Sequence, residues 1–163
     1  ASDVYMRQAQ NPPCPWNSVT CARAAENGHL GVLQWARAQD PPCPWNVFTC
    51  ASAAMKGHLD VLQWARAQDP PCEWDTHTCL YAAVRGHLGV LQWARAQDPP
   101  CEWDAETCVS AADEEHWDVL RWLRAEADPP CPWDAETEAK AKAHFGEAEV
   151  ASWGGPPPVP FDG

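Results

Sequence analysis

Nine cysteines give this chain of 163 residues its most obvious capacity for chemistry, because thiolates bind soft metals and exchange electrons. They form two regularly spaced series, one with Cys14, Cys43, Cys72, Cys101 and Cys131, the other with Cys21, Cys50, Cys79 and Cys108. Zinc sites commonly pair cysteines only a few residues apart, and neither series contains such a pair. The spacing therefore predicts no metal site, and a cysteine-based metal or redox protein is the most distant hypothesis.

Histidine and tryptophan recur with the same spacing. His29, His58 and His87 share one position of the pattern, and the tryptophans form two further series: Trp16, Trp45, Trp74, Trp103 and Trp133, and Trp35, Trp64, Trp93 and Trp122. Side chains repeated in this way cannot converge on one metal ion or substrate, so we expect structural roles for them. The sequence also lacks a glycine-rich phosphate loop and a nucleophile beside a plausible base. It therefore predicts neither an enzyme nor a cofactor.

These spacings come from an internal repeat. The segment 28–43 returns almost unchanged at 57–72 and 86–101. Cysteines of the first series lie 29 residues apart, except for a step of 30 between Cys101 and Cys131. A fixed period of this length predicts a stack of supersecondary units, each burying its apolar surface against its neighbours. Such a stack leaves a long surface free to bind other macromolecules.

Each unit is predicted to fold as a loop, a helix, a tight turn and a second helix. Polar residues suited to capping precede the first helix, namely Asn17, Asp75 and Asp104. Small residues share one face of that helix, at Cys21, Ala24, Ala25 and Gly28. The second helix presents an apolar stripe, with Arg37 left for solvent, and ends at Asp-Pro-Pro because proline lacks an amide donor.

Residues 24–33, Ala-Ala-Glu-Asn-Gly-His-Leu-Gly-Val-Leu, resemble the Ala-Ala-x-x-Gly-His-Leu-x-Val-Val core of ankyrin repeats. The resemblance covers units 14–42, 43–71 and 72–100, and more loosely 101–130 and 131–153. It implies an all-α, ankyrin-like solenoid of helix-turn-helix units. The period is about four residues shorter than the usual ~33, and a Cys-Pro-Trp type of loop replaces the β-hairpin, so little or no strand is expected.

The predicted stack spans residues 1–153, with a partial unit at 1–13 and a polar capping unit at 131–153. A Pro-rich tail, 154–163, follows it. The partial unit resembles the end of a second helix, which either processing of a longer precursor or an excerpted sequence explains. An intracellular location is expected, in the cytoplasm or inside an organelle.

The resemblance also bears on the cysteines. Equivalent residues in neighbouring ankyrin-like units lie about 10 Å apart, which is too far for a disulfide. Bonds along either series are therefore excluded, whereas a bond within one unit, such as Cys14 to Cys21, stays open. A cysteine at a helix position where ankyrins place leucine is most simply a small buried hydrophobe in its reduced form.

The formal charge of −12 is unevenly distributed, since residues 1–82 carry 5 basic and 7 acidic side chains and residues 83–163 carry 6 and 16. A surface of this sign repels phosphate backbones and anionic headgroups, so nucleic-acid binding is not expected. A basic protein partner is favoured instead. No apolar run approaches the roughly 20 residues that cross a bilayer, so membrane insertion is not expected either.

Positions that differ between units are not needed to hold the stack together. On the first helix, the side away from the small residues carries the predicted partner-binding set: Val19, Arg23, Phe48, Ser52, Met55, His77, Tyr81, Val84 and Glu106. An apolar patch on a solvated face is typical of an interface, and the resemblance places this helix on the concave side. A helical phase shifted by one residue would instead bury these side chains between units. Secondary interface candidates are Tyr5, Met6, Pro157, Pro158, Pro160 and Phe161.

Three functions remain under consideration. The first is a non-catalytic protein interaction module, an adaptor or scaffold that binds a protein through the concave first-helix face. The second is a structural linker subunit of a large multi-protein assembly, organellar or membrane-associated. The third is the cysteine-based metal or redox protein. The sequence does not name the partner, because such faces recognise shape rather than a transferable motif.

Overall fold

The computed structural model describes residues 16–154, and residues 1–15 and 155–163 lie outside that description. Within residues 16–154 the chain is all-helical and contains no strand, which confirms the coarse fold class predicted from the sequence. The helices, in chain order, are α1 (Ser18–Glu26), α2 (Leu30–Arg37), α3 (Val47–Lys56), α4 (Leu59–Arg66), α5 (Thr76–Val84), α6 (Leu88–Arg95), α7 (Ala105–Asp113), α8 (Trp117–Arg121), α9 (Ala135–Phe145) and α10 (Glu147–Ser152).

Polar side chains begin most of the first helices. Asn17 Oδ1 accepts hydrogen bonds of 3.0 and 3.3 Å from the second and third amides after it. Asn46 and Asp75 each accept one such bond, of 3.1 Å. Asp104 stands at the N-cap of α7, but its side chain makes no capping hydrogen bond. Each predicted capping residue therefore stands at the N-cap of its helix, but only Asn17 and Asp75 cap through their side chains, whereas Asp104 does not.

The first helices form a continuous row. Contacts run from α1 to α3, α5, α7 and α9 in turn, whereas each second helix packs on the first helix of its own unit. Buried alanines allow the close approach within the row, at Ala24, Ala25, Ala53, Ala54, Ala82, Ala83, Ala111 and Ala112. One leucine from each second helix is fully buried beneath it, at Leu33, Leu62, Leu91 and Leu120. The core thus runs along the whole row.

The turn between the two helices of a unit also joins neighbouring units. Gly57 has a φ of +75°, which only glycine adopts without strain. A Cβ on Gly57 would lie 2.8 Å from the ring of His87, one unit further on. His87 Nε2 in turn lies 3.2 Å from the carbonyl oxygen of Met55, at the end of α3. The same arrangement links Gly28 to His58 and Gly86 to His116.

Arginine at the end of the second helix is not left for solvent, contrary to the expectation for Arg37. Its Nη1 donates a 2.7 Å hydrogen bond to the carbonyl of Cys43, and its guanidinium lies 4.1 Å from the ring centre of Trp45. Trp64 packs against the same ring in an edge-type contact, with the two ring centres 5.9 Å apart. Arg66, Arg95 and Arg124 repeat the arrangement in the later units. Each loop is therefore held by the unit before it and by its own second helix.

The single step of 30 residues is absorbed by a π-helical turn. After α8 the chain continues as a π-helix over Trp122–Glu126, and the amide of Ala127 donates to the carbonyl of Trp122, five residues back. A π-helical turn takes up an additional residue without breaking the helix. Arg124 still donates to the carbonyl of Cys131, so the next loop returns to the position that loops occupy in the earlier units.

Candidate binding surface

We call the outward side of α1, α3, α5 and α7 the first-helix face, and it carries all nine predicted partner-binding residues. Val19 and Phe48 are each 57% exposed. Three other residues are exposed, namely Arg23, His77 and Glu106, and four are half-buried, namely Ser52, Met55, Tyr81 and Val84. Not one of the nine belongs to the buried core of residues 16–154. The structure thus keeps these side chains out of the row of packed helices.

An open groove lies between α1 and α3. Its volume is about 350 Å³, and its lining consists of Ser18, Val19, Ala22, Arg23, Glu26, Asn46, Phe48, Ser52 and Met55. Arg23 Nη1 and Glu26 Oε2 form an ion pair of 2.7 Å beside it. Concave sites that combine apolar side chains with a few polar groups suit an apolar side chain of a ligand and fix its orientation. Five of the nine predicted residues meet in this one groove.

The first-helix face continues from the groove onto α5. The ring centres of His77 and Tyr81 lie 5.8 Å apart, and His77 Nδ1 is 3.1 Å from a carboxylate oxygen of Asp75, the N-cap residue of α5. The contact with Asp75 orients the histidine ring beside the tyrosine. Val84 completes the apolar part of this helix, and Glu106 on α7 begins an acidic part.

Acidic side chains accumulate toward the C-terminal end of the row. Asp113, Glu114 and Glu115 are exposed in succession, and Glu115 has a φ of +58° where earlier units have glycine. A groove of about 490 Å³ opens here, with Glu115, Trp117 and His144 in its lining. The rings of Trp117 and His144 stack at 4.2 Å. Sequence reasoning missed this groove, although the replacement of Gly-His-Leu by Glu-His-Trp at 115–117 marked its place.

Sequence reasoning also missed a pairing between the two cysteine series. Cys21 Sγ lies 3.2 Å from Cys43 Sγ, although the two residues are 22 positions apart. Cys21 Sγ also lies 3.8 Å from the carbonyl oxygen of Cys43, and the same contact recurs at 3.8–3.9 Å for Cys50 with Cys72, Cys79 with Cys101 and Cys108 with Cys131. All eight thiols are free and buried. The signal in the sequence was the nearly constant separation between the helix cysteine of one unit and the loop cysteine of the next.

The six secondary interface candidates, Tyr5, Met6, Pro157, Pro158, Pro160 and Phe161, lie outside the described residues. Among the helices of the described range, none has the length and apolar character needed to cross a membrane. Neither a protein-family model nor a curated protein sequence matches this chain.

Proposed function

We propose that the chain is an ankyrin-like repeat solenoid that acts as a non-catalytic adaptor or scaffold, binding a protein segment across its first-helix face. The observation that carries this proposal is the groove between α1 and α3, where Val19, Phe48 and Met55 from two successive units line one open site. Large apolar side chains left exposed on neighbouring elements are typical of protein interfaces.

Within each unit, residues that are constant and residues that vary have different roles, and this difference supports the proposal. Residues identical between units hold the stack: the turn glycine contacts the next histidine, and the arginine of the second helix holds the next loop. The side chains that vary between units take no part in those contacts. Met55 contributes its carbonyl to His87, but its side chain lines the groove. A scaffold of constant residues with a variable outer face is what recognition by a repeat protein requires.

The charge of the row specifies the chemistry of the partner. The groove end supplies apolar contacts around Phe48, whereas the far end supplies the exposed carboxylates of Glu106, Glu114 and Glu115; Asp113 is ion-paired with Lys140 at 2.6 Å. A segment with an aromatic or aliphatic anchor followed by lysine or arginine side chains is complementary to both ends. The proposal therefore specifies a partner segment that is apolar at one end and basic at the other.

Selection from a library of peptides displayed on phage tests this proposal. The immobilised chain should enrich peptides that combine an apolar anchor with basic residues. The affinity of a selected peptide should fall by about tenfold or more in the triple variant F48A/M55A/Y81A, because truncating interface anchors commonly costs this much. Circular dichroism should show that the variant keeps its helical content.

A matched control separates loss of contact from loss of folding. Gln34 and Gln63 are exposed at equivalent positions of α2 and α4, on the second helices, so Q34A/Q63A should leave the affinity unchanged within about twofold. Equal losses in both variants, or unfolding of the triple variant, would contradict the assignment of the first-helix face.

A structural linker subunit is the second candidate, and one observation favours it. A further groove, of about 400 Å³, lies beside the second helices and includes Leu88, Trp117, Trp122 and Phe145 in its lining. A subunit built between neighbours needs contact surfaces on more than one side. The native mass of the endogenous protein in a gentle extract distinguishes the candidates: migration near 18.0 kDa supports a reversible adaptor, and co-migration with a large complex supports a linker.

A further inference from the structure

The four buried cysteine pairs join consecutive units rather than residues of one unit. In each pair, the helix cysteine belongs to a first helix and the loop cysteine belongs to the segment that precedes the next first helix. Cys21 in α1 thus contacts Cys43 in the loop before α3, and Cys50 in α3 contacts Cys72 in the loop before α5. A covalent bond at any of these places would tie one unit to its neighbour.

The geometry of the first pair is close to that of a disulfide, and the other three pairs repeat its sulfur–carbonyl contacts. The sulfur atoms of Cys21 and Cys43 are 3.2 Å apart, so they need to approach by only about 1.2 Å to bond. The helix sulfur of the other pairs lies 3.8–3.9 Å from the carbonyl oxygen of the loop cysteine. Each loop sulfur is also fixed by a carbonyl of the preceding unit, at 3.2–3.5 Å. The pairs are therefore held in one recurring arrangement.

We infer that these pairs are sites of oxidative modification, which form inter-unit disulfides Cys21–Cys43, Cys50–Cys72, Cys79–Cys101 and Cys108–Cys131 when the chain folds in the presence of a low-molecular-weight disulfide such as oxidised glutathione. All eight thiols are buried in the folded chain. The acceptor therefore reaches them before the stack closes, and oxidation accompanies folding. The inference is independent of the proposed binding function.

The chemistry consists of two successive thiol–disulfide exchanges. The thiolate of one cysteine attacks a sulfur of the acceptor, its S–S bond breaks, and one glutathione thiolate leaves. The thiolate of the partner cysteine then attacks the protein sulfur of this mixed disulfide and displaces the second glutathione. Each pair loses two protons and two electrons, and the acceptor disulfide is reduced to two thiols.

The electrostatics of one pair differ between its two thiols once the stack has closed. The hydrogen bond from Cys50 lowers the pKa of Cys72, and the charges of Arg66 and Arg37 lower it further, against the opposing effect of burial. The same hydrogen bond, together with burial, raises the pKa of Cys50. In the closed stack, the loop thiol of this pair is therefore the more readily ionised of the two.

Refolding of the reduced, denatured chain in a buffer of reduced and oxidised glutathione tests the inference. After quenching with N-ethylmaleimide, trypsin releases the cysteines in peptides 8–23, 38–56, 67–85, 96–121 and 125–140. The inferred pairing joins all five into one species, which mass spectrometry without reduction detects. Bonds between nearer cysteines, such as Cys43 and Cys50, would leave the peptides separate, since both residues lie in 38–56.

Two single variants provide a matched comparison. C50A should break the link between peptides 38–56 and 67–85, and C43A should break the link between 8–23 and 38–56, although both residues lie in the same peptide. Urea denaturation should show a higher midpoint for the oxidised chain than for the reduced one. Free thiols at all positions after refolding, or bonds confined within peptides, would overturn the inference.

Discussion

At the scale of single residues, the packing of a histidine against the turn glycine links each unit to the one before it. The sequence predicted a tight turn at Gly-His-Leu, and the positive φ of Gly57 fits that prediction. The sequence did not reveal that His87 fills the space where a side chain at Gly57 would lie, because this contact joins residues of different units. A periodic sequence shows which positions are constant. Their contacts across units depend on how neighbouring units are displaced from one another, which the sequence does not show.

Gly57→Ala should lower the free energy of unfolding by about 1–3 kcal/mol, because the new Cβ adopts a left-handed backbone and lies 2.8 Å from the His87 ring. Gly89→Ala is the control: this residue lies in α6, and a Cβ there meets nothing within 4 Å. It should stabilise the chain by up to about 1 kcal/mol through helix propensity. Urea denaturation measures both, and equal changes would contradict the packing of the turn.

The cysteines and arginines show a second limit of prediction at this scale. Spacing alone argued against metal ligation and left bonds within a unit open; Cys14 lies outside the described residues, and Cys21 Sγ lies 3.2 Å from Cys43 Sγ in the next loop. Arg37, expected in solvent, packs on Trp45 because its long aliphatic stem crosses the junction between units. Both contacts depend on how far one unit is displaced from the next. The sequence pattern of a single unit does not show this displacement.

At the scale of elements, helix boundaries were the most predictable feature. Asn17, Asn46 and Asp75 cap their helices through side-chain oxygens, as residues of these types commonly do, and Asp-Pro-Pro follows α2, α4 and α6. The π-helical turn at Trp122–Glu126 was not predictable. The sequence showed one additional residue between Cys101 and Cys131, but any loop or helix end could have absorbed it.

The cap of α9 gives a prediction for pH dependence. Burial opposes ionisation of Asp134, but hydrogen bonds from Thr137, including one of 2.7 Å from its amide, lower the pKa of Asp134 below its ordinary value of 3.8. A carboxyl whose pKa is lowered by folding stabilises the folded state above pH 3.8, and this contribution is lost as the pH falls through the folded pKa.

Asp134→Asn should remove this part of the acid sensitivity, because asparagine still caps the helix and does not ionise. Asp134→Ala should cost about 1 kcal/mol at neutral pH through loss of the cap. The free energy of unfolding, measured from pH 7 downward for the three proteins, checks both. A steeper loss of stability with acid in the Asn variant than in the wild type would contradict the assignment.

At the scale of the whole molecule, one row of helices serves two purposes. Its inner side is built from constant alanines and cysteines that bury the core, and its outer side carries the residues that differ between units. The sequence predicted this division from periodicity, and it named Val19 and Phe48, which are both 57% exposed. The groove between α1 and α3 was not predictable, since its shape depends on the spacing of two helices from different units.

The measurement that tests the binding proposal most directly is an NMR titration of the ¹⁵N-labelled chain with a selected peptide. The account predicts that backbone amide shifts concentrate in α1, α3 and α5, around Val19, Phe48 and Tyr81. Shifts in α2, α4 and α6 should stay small, because these helices lie on the other side of the row. Shifts concentrated in those second helices, or spread evenly over the chain, would contradict the first-helix face as the recognition surface.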